Sequence, residues 1–112
     1  MRIAFDGTAL RPFRTGVGYY TEHLLHHLAQ LTTSDELFVV SNDVVDTTVP
    51  LPPNVHVIRP SRRVPRIIWL QTGARSAAER LHADIVHFTN GILPIALASP
   101  AVVTIHDMSL QL

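Results

Sequence analysis

The chain opens with Arg2-Ile3-Ala4-Phe5-Asp6-Gly7, and Thr15-Gly16-Val17-Gly18 follows before an amphipathic segment. The apolar run predicts a buried strand over Arg2–Phe5, and the later periodicity predicts a helix over Val17–Leu31. Glycines lack Cβ atoms, so backbone N–H groups can approach a ligand closely, and the first turn of a helix adds unsatisfied donors and a partial positive charge. This stretch therefore predicts a place that binds phosphate or another anion.

Strand-like and helix-like segments alternate along the rest of the chain. The predicted strands are Leu37–Val40, Val55–Ile58, Asp84–Phe88 and Ala101–Ile105, and the predicted helices are Arg66–His82 and Leu93–Ala98. Continuous apolar strands that alternate with helices are typical of a parallel sheet buried on both faces. We therefore expect one α/β domain over residues 1–112, a Rossmann-like parallel sheet with helices on both faces. Ligands of such sheets bind beyond the carboxyl ends of the strands.

Helical periodicity also predicts which side chains face the sheet. For the first helix the predicted buried stripe is Val17, Tyr20, Leu24, Leu28 and Leu31. For the helix that follows Pro65 the predicted inner residues are Ile67, Leu70, Ala74, Ala77, Ala78 and Leu81.

Composition excludes several classes of protein. With 46% apolar and 16% charged residues, the chain is too hydrophobic to be disordered and long enough for one modest core. Nine basic residues, all arginine, balance nine acidic ones, so no global positive field is present to hold nucleic acid. The absence of cysteine excludes disulfides and thiolate metal sites. No signal-peptide pattern and no apolar run of membrane-spanning length occurs, so we expect a cytoplasmic protein.

Four blocks of the sequence carry a family resemblance. They are Met1–Gly7, Arg14–Tyr20, Ala83–Pro94 and Val102–Ser109. In this order the blocks resemble the N-terminal domain of retaining GT-B glycosyltransferases of family four, and together they cover nearly the whole chain.

The resemblance implies an activity that this chain shares with a second domain. A C-terminal Rossmann-like domain would hold most of the nucleotide-diphosphate sugar, so we expect residues 1–112 to be an incomplete acceptor-side half that is inactive alone. The whole enzyme would transfer a hexose-type unit to a hydroxyl of a sugar or lipid-linked acceptor, with retention. GT-B enzymes generally bind the diphosphate with protein groups, so no metal and no cofactor are expected.

Two places are predicted to serve the reaction. The run Gly16-Val17-Gly18 would donate hydrogen bonds to the donor phosphates and stabilise the leaving diphosphate. The resemblance implies that His106 is catalytic, because the matching histidine of the family lies near the donor sugar and its β-phosphate. The alternatives are a helix start without a ligand, and a neutral histidine bonded to nearby backbone.

Four more residues are predicted to bind the acceptor or line the cleft. They are Asp6, Tyr19, Asn90 and Asp107. Asp6 has a favoured structural interpretation, in which it accepts backbone N–H bonds and holds the loop. Asp107 would either orient His106 or cap the following turn, and adjacent strand residues point apart, which disfavours the first role. His87, inside the fourth predicted strand, is interpreted as a core histidine with satisfied hydrogen bonds.

Two further clusters have weaker functional interpretations. His23 and His27 share a helical face, but no third ligand accompanies them, so a solvated histidine face is favoured over a metal site. Basic residues beside an aromatic one suit a peripheral contact with the inner face of a membrane. Those residues are Arg62, Arg63, Arg66 and Trp69. The favoured alternative for them is a solvated basic face whose apolar members are core.

Two rival functions complete the set of hypotheses. A dinucleotide-dependent oxidoreductase would need GxGxxG directly after the first strand, but Thr21 takes the place of the third glycine and the loop Thr8–Thr15 intervenes. A non-catalytic sugar- or nucleotide-binding module stays open, because a half without the donor domain has only a binding surface.

Overall fold

The computed structural model describes residues 1–12, 16–60, 63–89 and 100–104. The strands are β1 (Arg2–Asp6), β2 (Glu36–Val40), β3 (Val55–Val57), β4 (Ile85–Phe88) and β5 (Ala101–Val103). The helices are α1 (Gly16–Leu31), α2 (Arg66–Gln71) and α3 (Gly73–Leu81). The predicted helix Leu93–Ala98 and the end of the predicted fifth strand at Ile105 lie outside the described residues.

The strands form one sheet in the order β3-β2-β1-β4-β5, and every neighbouring pair is parallel. From β1 the chain moves outward through β2 to β3, and it then crosses to the other side to form β4 and β5. The strand order reverses between β1 and β4, and in open α/β sheets the crevice beyond the carboxyl ends at such a reversal is where ligands bind. The α/β class and the parallel sheet are confirmed, and the strand order is compatible with a Rossmann-like fold.

Alternate side chains of the sheet enter two separate cores, because successive strand residues point to opposite faces. On one face Ala4 packs with residues of α2 and α3, including Leu70 and Ala77. On the other face Phe5 packs with Leu25 of α1. Helices therefore cover both faces of the sheet, as predicted.

Helix α1 is rotated relative to the prediction. Its buried residues are Gly18, Thr21, Glu22, Leu25 and Ala29. Tyr20 is 40% exposed and Leu31 is 82% exposed, so their predicted places in the core are wrong. Small side chains let the helix approach the sheet closely, whereas Leu24 and Leu28 pack only at the flank of the core.

Burial of Glu22 has a specific cause, which is a set of hydrogen bonds to the loop after β2. The Glu22 carboxylate accepts bonds from the backbone N–H of Thr48 at 3.1 and 3.2 Å and from the Thr48 hydroxyl. A buried carboxylate is tolerated when it is paired in this way. Periodicity of apolar residues could not reveal this face, because a charged residue is at its centre.

The predicted helix Arg66–His82 is two helices, interrupted at Thr72. The Thr72 backbone has φ −124° and ψ −55°, and its hydroxyl donates to the Ile68 carbonyl at 2.8 Å. Leu70, Ala74, Ala77 and Ala78 are buried as predicted, and Leu81 packs against the same core. Ile67 is 66% exposed, so its predicted inner position is wrong. The break turns α2 relative to α3, and one periodic stripe cannot describe both.

Candidate functional site

The loop after β1 is held by Asp6, which is 2% exposed. Its Oδ1 accepts hydrogen bonds from the backbone N–H of Thr8 at 2.9 Å and from the Thr8 hydroxyl at 2.7 Å. Aspartate often stabilises turns by bonding two residues ahead. The loop-holding role expected of Asp6 is thus present, while an additional contact with an acceptor stays a prediction.

Gly7 lets this loop pass close to β2. Its N–H donates to the Val40 carbonyl at 2.8 Å, and a Cβ at this position would lie 2.6 Å from Cγ1 of Val39. No other residue fits there without a shift of the Val39 side chain. The Asp6-Gly7 pair therefore sets the path of the chain at the edge of the crevice.

Arg66 extends the same set of hydrogen bonds to the start of α2. Its Nε donates to the Thr8 hydroxyl at 3.1 Å, so Asp6, Thr8 and Arg66 form a chain of contacts. Its Nη2 is buried and has no hydrogen-bond partner in the part of the chain that the structure describes. An unpaired buried donor costs about 1–3 kcal/mol, and an arginine edge suits a carboxylate or phosphate. Arg66 is therefore a candidate for binding an anion.

The opposite side of the crevice is joined to β1 by Thr89. This residue follows β4, is fully buried, and donates from its hydroxyl to the Asp6 carbonyl at 3.1 Å. At the end of β2, Asn42 donates to the Val64 carbonyl at 2.8 Å and accepts from Arg11. The carboxyl ends of β1, β2 and β4 are thus lined with polar groups that hold one another in place.

The residues Gly16, Val17 and Gly18 form the first turn of α1, but only Gly16 is exposed to solvent. Gly16 is exposed, and an ideal Cβ there would have no atom within 4 Å. Gly18 is buried, and the Val17 carbonyl accepts a bond from the Thr21 hydroxyl at 2.7 Å. A ligand could reach the backbone at Gly16, whereas Gly18 serves the packing of α1. Phosphate binding by this turn stays a prediction.

His87 bridges β4 and the end of β5. Its Nε2 lies 3.0 Å from the Thr104 hydroxyl, and its ring centroid lies 5.5 Å from that of Phe5. Burial lowers the pKa of His87 below its ordinary value, and the negative charge of Asp6 acts in the opposite direction. The hydrogen bond predicted for His87 is present, but the ring is only half-buried and is not part of either core.

The remaining predicted site residues are divided between the surface and the undescribed segments. Tyr19 is 55% exposed on α1. His106, Asn90 and Asp107 lie outside the described residues, so their roles stay predictions. His23 and His27 are exposed, and within residues 1–12, 16–60, 63–89 and 100–104 no group of three or more potential metal ligands occurs.

The basic residues predicted to contact a membrane are held by different parts of the protein. Arg63 pairs through Nε with Asp43 Oδ1 at 2.8 Å, Arg66 bonds Thr8, and Arg62 lies outside the described residues. Trp69 is only 7% exposed, as its alternative interpretation as a core residue expects. No helix in the described segments is long and apolar enough to cross a bilayer. Membrane contact stays a prediction, and the buried Trp69 does not provide the exposed aromatic side chain that it calls for.

Sequence reasoning did not find a groove of about 470 Å³ between α2–α3 and the β2–β3 side of the sheet. Trp69, Gly73, Ser76 and Arg80 contribute to one wall, and Ile58 lies on another. The sequence signal was the spacing of Trp69, Gly73, Ser76 and Arg80, which is that of one helical face. It could not be used without knowing that this part of the sheet face is left uncovered.

Comparisons with known protein families, with curated proteins and with solved structures found no match to this chain.

Proposed function

We propose that the chain is the acceptor-side domain of a retaining GT-B glycosyltransferase of family four. The complete enzyme would break the bond between the anomeric carbon of the sugar and the diphosphate of a nucleotide sugar. It would form a new bond from that carbon to an acceptor hydroxyl oxygen, and the hydroxyl proton would leave. The nucleoside diphosphate is the second product.

One observation carries this proposal, namely an arginine that is held beside the end of β1 and has an unpaired buried donor. Arg66 has a buried Nη2 without a partner among the described residues, and Thr8 holds its Nε. Gly16 leaves the start of α1 open. A cation and a helix N-terminus at the carboxyl edge of a parallel sheet suit a diphosphate.

The chemistry of the transfer needs such groups more than it needs a nucleophile from this domain. Negative charge develops on the diphosphate as it leaves, and fixed donors lower the energy of that state. Arg66 is fixed by Thr8, which in turn is fixed by Asp6. These contacts hold the guanidinium group in place before the charge develops.

A non-catalytic module that binds a sugar or nucleotide is the second candidate. The same crevice favours it, because Arg66 and Gly16 bind an anion whether or not a bond is broken. The two candidates share the ligand and differ in turnover.

Titration calorimetry of the 112-residue chain tests the shared ligand, with UDP-glucose, GDP-mannose and inorganic pyrophosphate as probes. We expect saturable binding that Gly16→Ala and Arg66→Gln each weaken about tenfold, since each removes one strong contact or blocks it. Gly16→Ala is informative because the free chain has space for the methyl group. Ser34→Ala, exposed at the opposite edge of the sheet, is the control and should leave binding unchanged. Absence of binding, or equal binding by all variants, would overturn the anion site.

Turnover then separates the two candidates. Release of sugar from the bound nucleotide sugar is measured for the chain alone and after addition of a complementing C-terminal half. Turnover that requires both halves and is reduced by Arg66→Gln supports the glycosyltransferase. Binding without turnover in the mixture supports the binding module instead.

A further inference from the structure

The groove beside α3 has the dimensions and the composition of a small-molecule site. Its volume of about 470 Å³ falls within the range of about 300–1,000 Å³ that is usual for ligand pockets. Its apolar lining residues include Val40, Ile58 and Trp69. Its exposed polar residues include Arg59, Ser76 and Arg80, and none of the described residues that line it is acidic. The groove thus combines an apolar lining with positively charged side chains.

The two arginines of the groove differ from the others that the structure describes. Each of the others has a protein partner: Arg2 with Leu81, Arg11 with Asn42, Arg63 with Asp43, Arg66 with Thr8, and Arg75 with Glu79. Arg59 and Arg80 have no hydrogen bond or ion pair to any described residue. Both guanidinium groups are therefore free to bind an anion that enters the groove.

Close packing against Gly73 holds the Trp69 side chain in place in the groove. A Cβ at this position would lie 2.3 Å from Cδ1 of Trp69, so the backbone of α3 rests directly against the indole ring. Trp69 is 7% exposed and belongs to the core formed with Leu70 and Val40. A fixed aromatic surface offers contact area without the entropy cost of ordering it on binding.

We propose that this groove binds a small amphipathic anion, whose apolar body packs against Trp69, Val40 and Ile58 and whose carboxylate or phosphate is bound by Arg59 and Arg80. Arginine is well suited to either head group, because its planar donors match two oxygens at once. The groove shares no residue with the crevice site built from Asp6, Thr8 and Arg66, so this binding does not depend on glycosyl transfer.

Tryptophan fluorescence provides a direct test, because Trp69 is the only tryptophan in the chain. Octanoate, octyl phosphate and the neutral octanamide are titrated below their aggregation concentrations, and calorimetry measures the same affinities. We expect a saturable change in Trp69 emission with at least one of the two anions, and binding of octanamide weaker by about tenfold or more. The tighter of the two anions identifies the preferred head group.

Matched variants locate the charged contact. Arg59→Gln combined with Arg80→Gln should weaken the anion about tenfold or more, while leaving the weak binding of octanamide unchanged. Arg75→Gln, on the same helix but paired with Glu79, is the control and should bind like the parent chain. All three side chains are exposed, so the fold is retained in each variant.

Three results would overturn the proposal. The first is no saturable change with either anion. The second is equal affinity for octanoate, octyl phosphate and octanamide, which would leave the arginines without a role. The third is an equal loss of affinity in Arg75→Gln and in the double variant, which would show attraction by net charge alone.

Discussion

The crevice at the end of β1 and the groove beside α3 both contain arginines, but their surroundings prepare them differently. In the crevice, Arg66 is bonded to Thr8 and is left with a buried Nη2 lacking a partner. In the groove, Arg59 and Arg80 are exposed and bonded to no described residue. A fixed donor suits a charge that develops during a reaction, whereas exposed, unpaired arginines suit recognition of a ligand that arrives already charged.

The glycines of the two regions show the same contrast. Gly16 at the crevice has open space where a Cβ would be, and Gly73 at the groove is in close contact with Trp69. The first position leaves room for a ligand against the backbone, and the second positions a wall. The role of a glycine in a ligand site therefore depends on which atoms a Cβ at that position would contact.

The largest effect is expected from breaking the support of the crevice. Asp6→Ala removes the acceptor of two buried Thr8 donors, so we expect the free energy of unfolding to fall by about 2–4 kcal/mol. Urea denaturation monitored by circular dichroism measures the change. Asp6→Asn keeps one carbonyl oxygen and should cost less. A loss below about 1 kcal/mol in Asp6→Ala would show that the loop is held by other contacts.

Alanine substitutions at Gly73 and at Gly16 test the difference in packing between the groove and the crevice. Gly73→Ala forces Trp69 to move, so we expect a loss of about 1–3 kcal/mol and a shift in tryptophan emission. Gly16→Ala has free space and should leave stability unchanged or raise it by up to about 1 kcal/mol. Equal destabilisation by both substitutions would contradict the packing described at Gly73.

The pH dependence of the free energy of unfolding tests the burial of His87 next to β1. Because burial lowers the pKa of His87 in the folded chain, the unfolded chain binds a proton first as the pH falls. Stability should therefore decrease as the pH drops through the ordinary histidine pKa of about 6.5. His87→Gln should reduce this slope, and the exposed His23→Gln should keep it. An unchanged slope in His87→Gln would remove His87 as its source.

The smallest effect is expected at the surface arginines of α3. Arg75→Gln breaks an exposed pair with Glu79 and should cost at most about 0.5 kcal/mol. Arg80→Gln breaks no ion pair among the described residues and should cost even less. Thermal denaturation measures both variants. A clear loss of stability in Arg80→Gln would assign this residue a structural contact rather than a ligand.

The architecture of this chain could be predicted well because its strands are short apolar runs bounded by polar residues. Such runs are typical of parallel strands whose two faces are both buried. The places of Asp6, Gly16 and His87 at or near strand and helix ends followed from this pattern. The roles of His106, Asn90 and Asp107 still depend on the family resemblance.

The details of the helices could not be predicted in the same way. The inner face of α1 contains Glu22, whose burial depends on Thr48, and the helix break at Thr72 lies next to the close contact of Gly73 with Trp69. Apolar periodicity detects neither, since each requires a partner from elsewhere in the fold or close backbone packing.

By itself, the sequence determined the α/β class, the strands and the two glycines at the first helix, because local apolar patterns and backbone preferences act between near neighbours. The tertiary structure alone decided the strand order, the contact of Arg66 with Thr8 and the groove around Trp69. Each of these joins residues far apart in the chain, and their contacts depend on how the helices pack against the sheet rather than on the pattern of any one segment.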